Sequence, residues 1–266
     1  MHPDRAADPR FDLAHRVILA AGDLAARYFA DLTQLRLETK AEGQDVVTQA
    51  DRAVEALIRG QLMQAFPEDG FLGEEQGLHP GQKGYLWVVD PIDGTSLFVA
   101  GLNDWCISIA LLRDGVPELG LVLHPATGEL FTARAGQGAF LNGQPISVNH
   151  AVRIDRGLTG MGANFRIPLA GITGFLAALM QAGGMFIRTG SGALMLTHVA
   201  CGRLCAYYEG HINAWDCMAA LCILREAGGW YCDFPGPEGL LAGGRILAAP
   251  AHLRGALEDL VAQAGG

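Results

Sequence analysis

Apolar residues near the start of the chain recur every three or four positions, which predicts an amphipathic helix over about 11–29. Its apolar face would consist of Leu13, Val17, Ile18, Ala21, Leu24 and Tyr28. A short strand near 35–39 and a turn at Gly43 follow. Apolar positions between 54 and 62 then predict a second helix that ends at about Pro67.

The middle of the chain has the pattern of short strands. Four apolar stretches lie at 107–112, 119–124, 130–133 and 139–141. The turn residues that separate or follow them are Gly115, Thr127-Gly128, Gly136 and Asn142-Gly143. Because short connections of this kind join antiparallel neighbours, we expect an antiparallel meander that continues one sheet.

Helices and strands alternate towards the end of the chain. Helical patterns lie at 175–181, 193–201, 217–227 and about 252–264, and short strands are expected at 185–188, 205–209, 230–233 and 246–249. The order fits packed layers of sheets and helices better than a single doubly wound sheet. We therefore predict an α/β fold of the layered α+β type.

The composition is that of a chain with a sizeable core. Half of the 266 residues are hydrophobic and 18% are charged, which excludes a disordered tail. The net charge is −9 with 19 basic residues and no basic run, so nucleic acid is not expected as the primary partner. No apolar run reaches the roughly 20 residues of a membrane span, and the first residues lack the pattern of a signal peptide. The sequence predicts a cytoplasmic protein without a membrane partner.

Six cysteines are present, and none belongs to a Cys-x-x-Cys pair. His198, Cys201 and Cys205 could share a helix face and bind zinc, but a closed zinc site would need a fourth ligand. We expect these residues to be buried thiols beside a core histidine instead.

A buried strand that ends in two carboxylates is the most informative segment. The run 87–89 is apolar, Pro91 removes a backbone donor so that the strand should stop there, and Gly94 permits a sharp turn. Asp90 and Asp93 are then left at the end of the strand, where paired carboxylates can hold hard cations. Alone this is a weak signal, since Asp and Pro are common at strand ends.

Other polar positions strengthen the prediction of a cation site at this strand end. Thr95 and Ser96 are candidate caps of a following helix, whose free N–H groups would favour an anion. Glu74 follows another short apolar stretch, and Asp216 lies directly before the helical pattern at 217–227. Asp216 by itself would be interpreted as a helix N-cap.

Together these segments resemble the inositol monophosphatase family, a group of Mg²⁺-dependent, lithium-sensitive sugar phosphatases. The matching segments are Asp45 to Asp51, Gly73 to Glu75, Trp87 to Thr95, Trp215-Asp216 and Glu226 to Gly229, with Arg188 to Ala193 and Tyr207 to Glu209 similar to the substrate side of the family. The resemblance implies one unit over 1–266 with alternating α-β-α-β-α layers, as in fructose-1,6-bisphosphatase. Within it, 1–150 would be the metal-binding half and 151–266 the substrate-side half.

The resemblance also implies roles for single residues. Glu74, Asp90 and the carbonyl of Ile92 would hold one Mg²⁺, and Asp90, Asp93 and Asp216 a second, with two or three ions per active site. Asp45 would orient the Thr95 hydroxyl against the attacking water, and Glu74 would be the third catalytic residue. The implied substrate contacts are Asp93, Gly94, Thr95, Gly190, Ser191, Glu209 and Asp216.

Two positions depart from the family pattern. Leu97 stands where many members have Asn, and Asn103 where many have Pro. Leu97 follows the metal motif directly, so it puts the usual support of that loop and the substrate range in question.

The implied function is a Mg²⁺-dependent phosphomonoesterase that acts on a small phosphorylated polyol, most simply inositol monophosphate, and forms a homodimer. A histidinol-phosphate phosphatase of the same family stays open, because the stretch 48–77 resembles those enzymes. A binding or regulatory protein on the same fold, with weak catalysis, is the alternative of a different class.

Overall fold

The computed structural model describes residues 8–34, 37–39, 46–234 and 239–264. The helices within these ranges are α1 (Pro9–Ala30), α2 (Gln49–Ala65), α3 (Thr95–Val99), α4 (Leu169–Gln181), α5 (Gly192–Ala200), α6 (Ala214–Glu226) and α7 (Arg254–Gln263). Short 3₁₀ turns cover Leu32–Gln34, Ile154–Arg156 and Ala251–Leu253. In the described part of the chain, no helix is both long and apolar enough to cross a membrane.

The strands are β1 (Leu37–Thr39), β2 (Val46–Thr48), β3 (Gly70–Gly73), β4 (Gly77–His79), β5 (Tyr85–Asp93), β6 (Cys106–Arg113), β7 (Val116–His124), β8 (Glu129–Arg134), β9 (Ala139–Leu141), β10 (Gln144–Ile146), β11 (Leu158–Met161), β12 (Met185–Ile187), β13 (Ala206–Ile212), β14 (Gly229–Tyr231) and β15 (Gly244–Pro250). The larger sheet has the order β10-β9-β8-β7-β6-β5-β3-β4. From β5 to β10 each strand is antiparallel to the next, which confirms the predicted meander. β3 lies parallel to β5 on the other side.

A smaller sheet, of order β12-β11-β13-β15-β14, is built from the second half of the chain. Its first three strands are parallel and the remaining pairs are antiparallel. β1 and β2 form a separate antiparallel pair.

Helices and sheets alternate in five layers, as predicted. The order is α1 with α2, the larger sheet, α5 with α6, the smaller sheet, and α4 with α7. The buried residues group accordingly: one cluster lies between the first helices and the larger sheet, a second surrounds α5 and α6, and a third lies under α4 and α7. The cluster around α5 and α6 joins side chains from both sheets.

Local chemistry explains where the first two helices begin. Asp8 accepts hydrogen bonds from the N–H groups of Arg10 (3.0 Å) and Phe11 (3.3 Å), and Pro9 takes the first helical position, so α1 starts before the predicted residue 11. Thr48 and Asp51 form a capping box at the start of α2.

The prediction that β5 stops at Pro91 is wrong. The strand continues to Asp93, which pairs with Cys106, and the ladder to β6 shifts register between Asp90 and Asp93. The missing N–H of proline thus interrupts pairing without ending the strand, as happens at bulges. Thr95 and Ser96 are also not the caps of α3, because Gly94 is its N-cap and makes no side-chain bond.

Short strands were the elements that periodicity missed. β2, β4, β10 and β11, which have three or four residues each, were not predicted. Residues 35–36, part of a predicted strand, and Gly43 lie outside the described residues.

Candidate active site

Four carboxylates from three segments, the turn after β3, the end of β5 and the first turn of α6, line one cavity of about 230 Å³. Its wall contains Glu74, Asp90, Asp93 and Asp216, together with Ile92, Gly94, Thr95, Ser96, Leu97, Arg188, Gly190 and Asn213. The predicted positions are therefore brought together, although they lie far apart in the sequence. A larger cavity of about 470 Å³ lies between α1 and the meander, away from the carboxylates.

The end of β5 presents two of these acids. Asp90 is 1% exposed, and its Oδ1 accepts a hydrogen bond of 2.9 Å from the N–H of Ile92. Gly94 has a φ of +101°, a conformation that favours glycine, and turns the chain from β5 into α3. The strand end and the turn together orient Asp90 and Asp93 towards the cavity.

The start of α5 fixes Asp93. Its Oδ2 accepts hydrogen bonds from the Ser191 hydroxyl (2.6 Å) and from the N–H of Ala193 (2.7 Å). Ser191 is fully buried and its hydroxyl also accepts a bond from the N–H of Leu194, so it caps α5. A direct contact of Ser191 with substrate stays a prediction, while Gly190 lines the cavity itself.

Asp216 lies in the first turn of α6. One of its oxygens accepts bonds from the backbone N–H (3.2 Å) and the side-chain amide (3.1 Å) of Asn213. Asp216 is thus not the N-cap of α6: it lies inside the first turn, where it completes a capping box, and it also forms part of the cavity wall. Asn213 is the N-cap, with Asp216 three residues later.

Burial, together with the crowding of Asp90 and Asp216 among other acids, raises the pKa values in this cluster. Burial raises the pKa of Asp90 and Asp216 well above the ordinary 3.8, and the surrounding carboxylates raise it further. Burial also raises the pKa of Asp93 to about 6, although the bonds from Ser191 and Ala193 oppose this rise. The cluster therefore holds protons that a cation would displace.

The donor set fits Mg²⁺ better than a metal enclosed by protein ligands. Within the described residues, no three His, Cys, Asp or Glu side chains converge so as to hold one metal ion. The three carboxylates expected around the second ion, Asp90, Asp93 and Asp216, are therefore not gathered on one point. Mg²⁺ still fits the site, because it keeps several waters and binds through one or two carboxylates plus a substrate phosphate. The oxygen-only set of Glu74, Asp90, Asp93 and Asp216 around a polar cavity matches that preference.

Thr95 is held by Asp51, an acid for which the sequence predicts no role in the site. Its hydroxyl is 3.0 Å from Asp51 Oδ1 and 3.1 Å from the carbonyl oxygen of Ile92. Asp51 is fully buried, and its other oxygen accepts bonds from the backbone N–H and the hydroxyl of Thr48. Asp45, predicted to orient Thr95, lies outside the described residues. The capping-box spacing from Thr48 to Asp51 was visible in the sequence, but it indicated only a helix start.

Glu209 lines a second cavity of about 80 Å³, which shares Asp93, Arg188, Gly190 and Asp216 with the first. Its carboxylate accepts hydrogen bonds from the Tyr207 hydroxyl (2.5 Å) and the Asn164 amide (3.1 Å). Burial raises the pKa of Glu209 to about 7 in spite of these donors. Tyr207 belongs to the segment that resembles the substrate side of the family, and it lies two residues before Glu209 on β13, so the two side chains share a face of the strand. Asn164 has no such signal in the sequence.

The two departures from the family pattern differ in position. Leu97 lines the cavity and packs on Gly190, where an added Cβ would lie 2.9 Å from Leu97 Cδ1. Asn103 instead anchors the following loop, because its carbonyl oxygen lies 2.8 Å from His124 Nε2.

Comparison with known proteins assigns the family. The sequence profile of the inositol monophosphatase family matches residues 7–264. The chain belongs to the inositol monophosphatase family. The predicted family is thereby confirmed, and so is the layered α/β fold.

The named relatives fall into two groups. The inositol-1-monophosphatase of Rhizobium meliloti is 36% identical over 256 residues, covering 92% of this chain and 93% of that protein. The Nus factor SuhB of Xylella fastidiosa is 36% identical over 232 residues, covering 86% and 84%. The solved structure of the extragenic suppressor protein SuhB from Bartonella henselae superposes with a TM-score of 0.90 at 30% identity, covering 96% and 98%. Family and fold are thus shared by proteins with different names.

Proposed function

We propose that this chain is a Mg²⁺-dependent phosphomonoesterase that hydrolyses a small phosphorylated polyol, most simply inositol monophosphate, by attack of water. The observation that carries the proposal is the single cavity lined by Glu74, Asp90, Asp93 and Asp216. Family membership and the name of the Rhizobium meliloti relative support it.

In this proposal the carboxylates bind the ions and other residues fix the geometry. Two or three Mg²⁺ held by Glu74, Asp90, the carbonyl of Ile92, Asp93 and Asp216 would offset the charge of the phosphate and acidify a bound water. Ser191 and Ala193 keep one oxygen of Asp93 occupied, which fixes the rotamer of its side chain.

Thr95 orients the water. The hydroxyl proton of Thr95 has two acceptors within the protein, Asp51 Oδ1 and the carbonyl oxygen of Ile92, so the lone pairs of Thr95 Oγ1 can accept a hydrogen bond from the attacking water. A contribution of Asp45 to the same hydroxyl stays part of the proposal. The phosphoryl group passes directly to water, and no residue of the chain is phosphorylated.

Glu209 and Gly190 form the substrate side. Tyr207 and Asn164 fix the Glu209 carboxylate at the wall shared with Asp93 and Asp216, within reach of hydroxyl groups next to the phosphate. This supports a polyol as substrate.

Three further properties belong to the proposal. A cytoplasmic location agrees with six unpaired cysteines, which a reducing compartment maintains. A homodimer is supported by the edge strand β12, where Met185 is 60%, Phe186 43% and Ile187 37% exposed. Lithium sensitivity follows from the family alone.

A regulatory protein is the second candidate, since several relatives carry the name Nus factor SuhB, which states no hydrolytic activity. Histidinol-phosphate phosphatase stays an alternative within the same mechanism and rests on the sequence stretch 48–77.

The deciding experiment is a phosphate-release screen over small phosphomonoesters, with Mg²⁺ and with EDTA. We expect Mg²⁺-dependent turnover of inositol 1-phosphate and its near-complete loss in Asp90→Asn, because a neutral amide binds Mg²⁺ poorly. A wild-type preference for histidinol phosphate that Glu209→Gln leaves unchanged would favour the alternative substrate. No turnover of any phosphomonoester would favour the regulatory protein.

A further inference from the structure

The turn between β3 and β4, residues 74–76, carries Glu74 into the candidate cavity. The strands on either side have only four and three residues, and β4 is the last strand of the larger sheet. Short strands at a sheet edge provide few hydrogen bonds, so the conformation of the turn needs support from elsewhere.

Glu55 of α2 supplies that support. It is fully buried, and its two oxygens accept hydrogen bonds of 2.9 Å from the backbone N–H groups of Glu75 and Gln76. The N–H of Glu74 donates to the carbonyl of Val89 in β5 at 3.3 Å. The three consecutive N–H groups of the turn therefore all have acceptors, two of them on one carboxylate.

The close approach of the Glu55 carboxylate to the turn explains why the residue before Glu74 is a glycine. A Cβ at Gly73 would lie 2.3 Å from Glu55 Oε2, so any larger residue would push the carboxylate away from the turn. One helical turn further along α2, Arg59 donates to the side-chain carbonyl of Gln76 and holds the same turn from outside.

α2 thus connects two segments of the candidate site. Asp51 and Glu55 are four residues apart on its buried face. Asp51 binds Thr95 after the end of β5, and Glu55 binds the turn that presents Glu74. Each carboxylate fixes a segment relative to the same rigid helix.

We propose that Glu55 is a positioning residue for the metal site: by binding the N–H groups of Glu75 and Gln76, it sets the turn so that the Glu74 carboxylate faces Asp90 before any cation binds. The inference rests on the proposed function, because it assumes that Glu74 is a ligand of Mg²⁺. Residues that support ligands from outside typically alter metal affinity roughly ten- to a hundred-fold when removed.

The test compares Glu55→Gln with Asp69→Asn, which makes the same carboxylate-to-amide change at another buried site. Asp69 is 2% exposed and binds Arg10 and the Trp87 indole, away from the cavity. Mg²⁺ binding is measured by calorimetry with the metal alone, alongside melting temperature and the Mg²⁺ dependence of turnover. We expect Glu55→Gln to weaken Mg²⁺ binding roughly ten-fold or more. Saturating Mg²⁺ should restore much of its turnover, and Asp69→Asn should lower the melting temperature while keeping wild-type affinity.

The outcomes separate the two proposals. If wild type binds no Mg²⁺ or releases no phosphate, the proposed function fails regardless of Glu55. If wild type binds Mg²⁺ and Glu55→Gln binds it equally well, Glu55 is structural only and the inference is overturned. Should Glu55→Gln not fold, amide hydrogen exchange of wild type decides, because unprotected Glu75 and Gln76 amides would contradict the hydrogen bonds on which the inference rests.

Discussion

At the scale of single residues, burial decides the chemistry of the site. Glu209 is 9% exposed and shares its cavity wall with Asp93 and Asp216. Loss of water around a carboxylate disfavours its charged form, and the two hydrogen-bond donors offset this only in part. The same residue type on the surface would titrate near its ordinary value.

Glu209 should therefore make metal-free stability depend on pH. Because its pKa rises from 4.5 to about 7 on folding, the folded protein holds a proton that the unfolded chain releases between these values. Its contribution to stability is present below pH 4.5 and is lost as the pH rises towards 7, by at most about 3 kcal/mol. Denaturant unfolding in EDTA should show this loss in wild type relative to Glu209→Gln. If the free energy of unfolding changed with pH in the same way for both proteins, the raised pKa of Glu209 would be contradicted.

Leu97 should act on substrate choice, because it faces the cavity. An apolar wall leaves a nearby substrate hydroxyl without a partner, so Leu97→Asn should raise the kcat/KM ratio of inositol 1-phosphate to a hydroxyl-poor phosphate about two- to ten-fold. Leu102→Asn is the control, since Leu102 is 51% exposed in the following loop. An equal effect on both substrates would show that Leu97 serves packing alone.

At the scale of elements, the site lies where β5 ends and two helices begin. Asp93 accepts bonds from the start of α5, and Asp216 lies in the first turn of α6. Positive helix N-termini stabilise carboxylates, which offsets part of the repulsion among them. α6 packs directly on β7, so the position of Asp216 depends on that contact.

Gly120 permits this packing. A Cβ there would lie 2.2 Å from the carbonyl oxygen of Ala219 and 2.9 Å from Cys222 Cβ. Gly120→Ala should force α6 away from β7, lower the free energy of unfolding by about 1–3 kcal/mol and reduce turnover with it. Gly60→Ala is the matched control, because an added Cβ on exposed Gly60 of α2 meets nothing within 4 Å. It should stabilise by about 0.5–1 kcal/mol without loss of turnover, and chemical denaturation measures both.

At the scale of the whole molecule, the acidic cavity is lined by residues from the larger sheet and from the helices that pack against it. The cluster around α5 and α6 contains side chains from both sheets. The end of β5, which carries Asp90 and Asp93, and α6, which carries Asp216, therefore pack on one core. Crowded carboxylates work against this packing as long as their charge is not balanced.

Mg²⁺ should therefore stabilise the folded protein. Binding to the folded state alone gives about 2.7 kcal/mol at a hundred-fold excess over the dissociation constant. Affinity should also rise with pH, because the raised pKa values of Asp90 and Asp216 mean that bound protons must leave first. Melting curves in EDTA and in millimolar Mg²⁺ test the stabilisation, with Asp90→Asn as the control. Coincident wild-type curves would contradict it.

The sequence by itself determined the longer elements and the acidic positions. α1, α2 and the meander follow from spacing, because long elements repeat their apolar pattern several times. Glu74, Asp90, Asp93 and Asp216 were found because each lies where an apolar run meets a carboxylate. Their cation-binding role stays a prediction.

Only the tertiary structure decided which groups support these acids. Asp51 on Thr95, Glu55 on the β3–β4 turn and Asn164 on Glu209 are contacts between segments that lie far apart in the sequence. Local sequence shows Asp51 as a helix cap and Glu55 as one acid of α2, because spacing along a chain carries no information about what packs against that helix. The continuation of β5 through Pro91 was decided in the same way, by pairing with β6 on the far side of the bulge.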